Sequence, residues 1–307
     1  MSAGWVAGSV RARALARRRL GPGRARMLAG CDSLTSALDM LAVSPYRRGV
    51  DKGQTVAEAQ HGVAATLLWH LRVLAGWLPR DGVTLLRAAA GWYELANIDG
   101  LMQRFDGLDA EKPFTLGAVQ TAWPRLADAT GRTDLRARLA ASPWGDPGTG
   151  DPYGVRLFLR LSWAHRTSGA AARVLPVAAG SAAALVAGER FTSGRDLPSS
   201  ARERACLLLG ERAVQAAGLA EMTDRLPAAA RWALAGIDDP ADLWRAQARC
   251  WTRLERDGEA LLTSGGFGPE AVVGVVGVLA ADAWRVRAAL EIAAHGGGPL
   301  GVYDAVA

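Results

Sequence analysis

Lysine is almost missing from this chain: of its 36 basic residues, all but Lys52 and Lys112 are arginine. Neither lysine follows the glycines of a phosphate-binding loop, which excludes a Walker-type nucleotide site. Cysteine is scarce too. Cys31, Cys206 and Cys250 are odd in number, far apart and without CxxC spacing, so they form neither a disulfide framework nor a cysteine zinc site. They are expected to be reduced, partly buried thiols of a cytosolic protein. The four histidines, His61, His70, His165 and His295, show no HxxH or HExxH spacing. No GxSxG elbow or local Cys/His dyad occurs. Gly266-Phe267-Gly268-Pro269-Glu270-Ala271 imitates the first two glycines of a dinucleotide fingerprint, but no strand precedes it and Pro269 removes a needed N–H. Long apolar runs are missing as well. Val174–Gly188 and Ala271–Ala281 are the longest uncharged stretches, short of the roughly 20 residues of a spanning helix. No signal peptide is legible in Met1–Val10, and the chain is expected not to cross a membrane. Nowhere does apolar–polar alternation persist over a strand's length.

What is present is helical. Half of the 307 residues are hydrophobic, enough for a sizeable core. The net charge of +6 and the pI near 9.8 point to an acidic partner or surface, although a GC-rich genome also produces arginine excess. Val10–Met27 carries seven arginines and no acidic residue, broken at Gly21-Pro22-Gly23. Asp32-Ser33 offers an N-cap to a short helix that ends at Ser44-Pro45-Tyr46. Thr55-Val56-Ala57-Glu58 is a capping box opening a long helix. Pro79-Arg80-Asp81-Gly82 reads as a turn into a second, from about Val83 to Phe105, with Tyr93 and Asn97 near its apolar face. Shorter helices are expected near Thr115–Ala122, Thr133–Ala141, Tyr153–Thr167, Val177–Glu189 and Asp224–Ala235. Ser200-Ala201-Arg202-Glu203 reads as a second capping box, for a helix to about Gly218. Ser142–Pro152 has turn formers at almost every position and reads as a hinge.

Towards the C-terminus one phrase occurs twice, Asp242-Leu243-Trp244-Arg245 and Asp282-Ala283-Trp284-Arg285, each read as opening a helix with a capping carboxylate, a ring to bury and an exposed arginine. Asp238-Asp239 before Pro240 is read as a helix cap. The tryptophans at 69, 77, 232, 244 and 284 fall within helical patterns and are assigned to core packing. The class is all-α, helix on helix.

In order and phrasing the chain resembles the C-type subunits of the A/V-type rotary ATPases, relatives of the d-type subunits of V-ATPases. The resemblance runs from the arginine-rich N-terminal helix through Ser44-Pro45-Tyr46. It continues in Trp92-Tyr93-Glu94-Leu95-Ala96-Asn97-Ile98, similar to the family's Asp/Glu-x-x-Asn-Leu/Ile phrase, and in Asp282–Leu290. It closes on Gly296-Gly297-Gly298-Pro299-Leu300 and Val302–Val306. It implies three related helical subdomains in a funnel-like, pseudo-threefold arrangement. They are assigned to residues 1–110, 111–235 (with the hinge at 142–152) and 236–307. It implies a non-catalytic central-stalk protein that couples a rotating shaft to the membrane proteolipid ring during proton or other ion transport. Its partners would be the shaft subunits and the ring, with no cofactor, no small-molecule substrate and no nucleic acid. It would be cytoplasmic, peripheral to the membrane, touching it only through partners. Arg104, Arg245, Arg249, Arg285 and Arg287 are the candidate partner contacts; Tyr93, Asn97, Asp242, Trp244, Asp282 and Trp284 are the structural residues of the pattern. The competing readings are an arginine-rich helical protein binding nucleic acid or an acidic protein, and an enzyme with a dispersed site.

Overall fold

The computed structural model describes residues 2–298 and 300–306. About 70% of the chain is helical and no strand occurs among the described residues, so the class is all-α. In chain order the helices are α1 (Ala3–Ala16), α2 (Pro22–Ala29), α3 (Leu34–Ala42), α4 (Val56–Ala75), α5 (Arg80–Phe105), α6 (Trp123–Leu126), α7 (Arg132–Ala140) and α8 (Pro152–Ala170). They continue with α9 (Leu175–Ala187), α10 (Ser199–Leu209), α11 (Glu211–Val214), α12 (Leu219–Arg225), α13 (Ala228–Arg231), α14 (Trp244–Thr263), α15 (Pro269–Ala294) and α16 (Leu300–Val306). The chain divides into two compact units. One joins the residues up to Val83 with those from Trp251 on, and the other is Thr84–Cys250.

In the first unit α15 is the central element, packed by α1, α2, α3 and α4. Its sequence explains this. Ala271, Gly274, Val275, Gly277, Val278 and Ala281 are buried, and such small residues let neighbouring backbones come close. A second close approach joins α4 to the loop before it: a Cβ on Gly62 would collide with the Gly49 carbonyl. The predicted capping box at α4 is complete, with Thr55 Oγ1 accepting from the Glu58 N–H and Glu58 accepting from the Thr55 N–H.

The second unit is built on α8, with α9 and α10 against it and α13 against α9. Trp144 and Phe158 are its largest fully buried side chains, with Leu126 and Leu135 among the buried leucines around them. Ala172–Thr192 is one helical stretch long and apolar enough to cross a membrane, with a mean hydropathy of 1.3. Helical backbone continues past Ala187 through a π-helical turn at Gly188–Thr192, which makes this stretch longer than the uncharged run alone. Ala179, Ala182, Ala183 and Val186 of α9 are buried in the unit's core.

Several local expectations are corrected. Pro79-Arg80-Asp81-Gly82 is not a free turn, because α5 starts at Arg80, directly after the proline. Thr115–Ala122 is a loop with one 3-10 turn, Gly117–Val119. Ser200 does not cap: α10 starts at Ser199, and the Ser200 hydroxyl donates to the Pro147 carbonyl instead. Gly210, at φ 79°, ends α10 early, and Pro227 splits the helix expected at Asp224–Ala235. The tryptophan assignment fails for Trp77 and Trp244, which are exposed, while Trp69, Trp232 and Trp284 are half-buried. The fully buried indole is Trp144, in a loop.

Candidate functional site

Two buried carboxylates organise the polar interior, one in each unit. Asp282 lies in the middle of α15 and is 1% exposed. It accepts from the Leu20 N–H at 2.9 Å, the Gly21 N–H at 2.7 Å and the Tyr46 hydroxyl at 2.7 Å. Those two amides directly precede α2, whose first N–H groups have no partner within the helix. A buried carboxylate is tolerable only when its lone pairs are engaged in this way. Asp282 therefore does not open a helix; α15 has already run for three turns when it reaches this residue.

Glu94 repeats the arrangement in the second unit. It lies in mid-α5, is 1% exposed, and accepts from the Thr121 N–H at 2.7 Å and the Ala122 N–H at 2.8 Å, directly before α6. Its third donor is the Trp144 indole N–H at 2.7 Å. Tyr46 and Trp144, the aromatic donors, each end a Ser-Pro-aromatic phrase with the same local bonds. Ser44 Oγ donates to the Leu41 carbonyl and accepts from the Tyr46 N–H. Ser142 Oγ donates to the Leu139 carbonyl and accepts from the Trp144 N–H. The serine side chain thus finishes the preceding helix and aims the ring.

Around Glu94 the same face of α5 holds the following loop. Asn97 donates to the Phe114 carbonyl at 2.9 Å and accepts from the Phe114 N–H at 2.6 Å. Buried Tyr93 packs edge-on against the Phe114 ring at 5.2 Å. A side-chain amide offering one donor and one acceptor matches a single peptide unit, which is why Asn suits this position.

The repeated Asp-x-Trp-Arg phrases are not structural equivalents. Asp242 lies in the turn before α14, where it ion-pairs with exposed Arg245 at 3.2 Å, and Arg245 also lies over the Trp244 ring at 5.4 Å. Arg285 of the second phrase is turned inward. It is 6% exposed and donates to both Glu255 carboxylate oxygens through Nη1 and Nη2, at 2.7 and 2.5 Å. Trp284 stacks on Trp251 at 5.2 Å with the planes 15° apart. Arg285 thus offers no free guanidinium to a partner. Arg104 and Arg287 are exposed on α5 and α15, and half-buried Arg249 donates to the Ala235 carbonyl at 2.6 Å. Asp239 caps as expected, accepting from the Ala241 N–H.

The sequence reading missed Glu94, Glu255 and Trp144. A signal existed for Trp144: Ser44-Pro45-Tyr46 and Ser142-Pro143-Trp144 are one Ser-Pro-aromatic phrase occurring twice. None of the three cysteines forms a disulfide. Cys250 is buried, and burial pushes the half-buried Cys31 and Cys206 thiols above their ordinary value. No group of three or more His, Cys, Asp or Glu side chains that could hold a metal occurs among the described residues. No protein-family model matches the chain, and no curated protein matches it in sequence.

Proposed function

We propose that this chain is a non-catalytic central-stalk subunit of an A/V-type rotary ATPase, coupling shaft rotation to the proteolipid ring during ion transport. The observation that carries this reading is the carboxylate latch found once in each unit. In both, a mid-helix carboxylate takes two amides in front of a short helix and the ring donor of a Ser-Pro-aromatic phrase. Internal repetition of a helical module is what the resemblance implies. The Glu94-x-x-Asn97 phrase that carries it also has a physical task, since both side chains hold the segment from Phe114 to Ala122. A third copy would fall near Glu189, close to midway between Glu94 and Asp282 in sequence. Glu189 lies beside the Tyr153 phenol, but its Oε2 and the Tyr153 hydroxyl have no hydrogen-bond partner, so no third latch is formed there.

The role asks for stiffness rather than chemistry. A torque-transmitting element gains from helices tied at mid-length by charge-assisted bonds, which are shorter and stronger than neutral ones. Exposed Arg104, Arg245 and Arg287 and half-buried Arg249 would grip an acidic shaft, each at about 0–1 kcal/mol as surface pairs. The test is biochemical. The tagged chain is expected to co-purify with shaft and proteolipid subunits. Inverted membrane vesicles lacking it are expected to hydrolyse ATP without pumping ions. Normal ATP-driven pumping in those vesicles would overturn the reading.

A further inference from the structure

We propose that Arg11, Arg18, Arg48 and His70 of the first unit form a binding site for a phosphate-type oxyanion, at the mouth of a small cavity lined by Arg18, Tyr46 and His70. Positive charge is concentrated in this part of the chain. The first 83 residues hold twelve basic side chains against five acidic ones, Asp32, Asp39, Asp51, Glu58 and Asp81. Ion pairs remove Arg19, with Glu259, Arg26, with Asp304, and Lys52, with Asp39. Arg11, Arg18 and Arg48 have no acidic partner among the described residues.

All three arginines lie near enough to His70 to act on its charge. Arg11, Leu15 and Arg18 follow one another at helical spacing along and just beyond α1, and Leu15 and Arg18 line the cavity together with His70 of α4. From the other side Arg48 stacks over the Trp69 ring at 4.3 Å, and Trp69 meets the His70 ring edge-on at 5.0 Å. Arg18 and His70 line the cavity; Arg18 and Arg48 are exposed, and Arg11 and His70 are half-buried. His70 Nδ1 and Arg11 Nε are buried and have no hydrogen-bond partner, a costly condition that a bound acceptor would relieve. Burial and then Arg11, Arg18 and Arg48 hold the His70 imidazole below its ordinary value, as expected of cations gathered with no anion between them.

The remaining charged lining groups are already engaged. Arg19 is paired with Glu259, and Tyr46 donates to Asp282, whose other acceptor positions face Leu20 and Gly21. The cavity itself, about 10 Å³, is room for roughly one water, so the anion would cap the mouth. Three guanidinium groups and an imidazole offer donors from several directions. This suits a tetrahedral oxyanion with three free oxygens better than a planar carboxylate with two.

The test uses the full chain, which has only four histidines, so the His70 ring resonance can be assigned with His70→Gln. Inorganic phosphate is titrated against chloride at matched ionic strength. A saturable shift of the His70 signal is expected, weakened ~10-fold or more in Arg18→Met and Arg48→Met, whose melting curves check that the fold is retained. Because sulfate does not titrate near neutrality, it is used for the pH series, in which the His70 midpoint is expected to rise. Vesicles of phosphatidylglycerol against phosphatidylcholine separate the sources. Binding to the anionic vesicles that free phosphate competes away assigns a lipid headgroup, and phosphate binding without vesicle binding assigns a soluble phosphate. Absence of any His70 shift at tens of millimolar phosphate overturns the proposal, as does tighter binding of a polyglutamate peptide than of phosphate.

Discussion

Asp282 holds together parts of the first unit that are far apart in sequence, through three donors on two different segments. Asp282→Ala leaves two amides and a phenol unpaired in the interior and is expected to cost about 3–5 kcal/mol in urea unfolding. Tyr46→Phe removes one donor and is expected to cost about 1–3 kcal/mol. The Glu255–Arg285 pair should show itself in the acid limb. The Arg285 hydrogen bonds hold the Glu255 carboxyl below its ordinary value of 4.5. Its contribution is therefore complete above that value and is lost as the pH falls through the lower folded value. Glu255→Gln is expected to flatten the acid-side slope of melting temperature against pH below about 4.5, leaving the neutral-to-alkaline limb parallel to that of the parent. Arg285 was also the residue that sequence read least well. On a helix whose neighbours are small and apolar, an arginine looks exposed by default, and the carboxylate that draws it inward, Glu255, is thirty residues away. Local periodicity carries no information about such a partner.

Among the elements, the helices most legible in sequence were those with a complete local signal. The capping box of α4 is formed as written, and there Thr55→Ala is expected to lower stability by about 1 kcal/mol. The Ser200 box failed because its hydroxyl found a tertiary acceptor, Pro147, that no local pattern announces. Asn97 was placed near the apolar face of its helix, and the bonds it makes run to a loop seventeen residues on. The buried carboxylates were illegible as such. An Asp or Glu in mid-helix is ordinarily solvated, and only the donors from other segments make these two interior groups. Close helix packing brings a further expectation. At Gly62 the opposing atom is a backbone carbonyl, which cannot swing aside as a side-chain end can, so Gly62→Ala is expected to destabilise by about 1–3 kcal/mol in thermal unfolding. Gly53→Ala serves as the comparison: space around it is open, and only its φ of 80° opposes the change.

At the level of the whole molecule, the class was legible because period-3.6 patterns fill the chain, while the partition into units was not. One unit is assembled from both ends of the sequence, and composition gives no sign of which distant segments will meet. The two latches allow the units to be addressed separately by hydrogen exchange. Glu94→Ala is expected to speed exchange chiefly in α5, α6 and α8, whereas Asp282→Ala is expected to speed it chiefly in α1, α2 and α15. Equal loosening of both sets by either substitution would mean that the latches do not act locally.

The sequence separation of 262 residues between Leu20 and Asp282 also sets an order of events at the ribosome. The N-terminal helices emerge long before α15, the helix that covers their apolar faces and supplies the acceptor for the amides before α2. At about 5–20 residues per second, roughly 13–52 s separate the synthesis of Leu20 from that of Asp282. Thr84–Cys250, which has its own core, can close in the interval. Until α15 is translated, the first four helices are a nascent segment whose apolar faces lack their cover, and the arrival of that helix ends their exposure to aggregation and proteolysis.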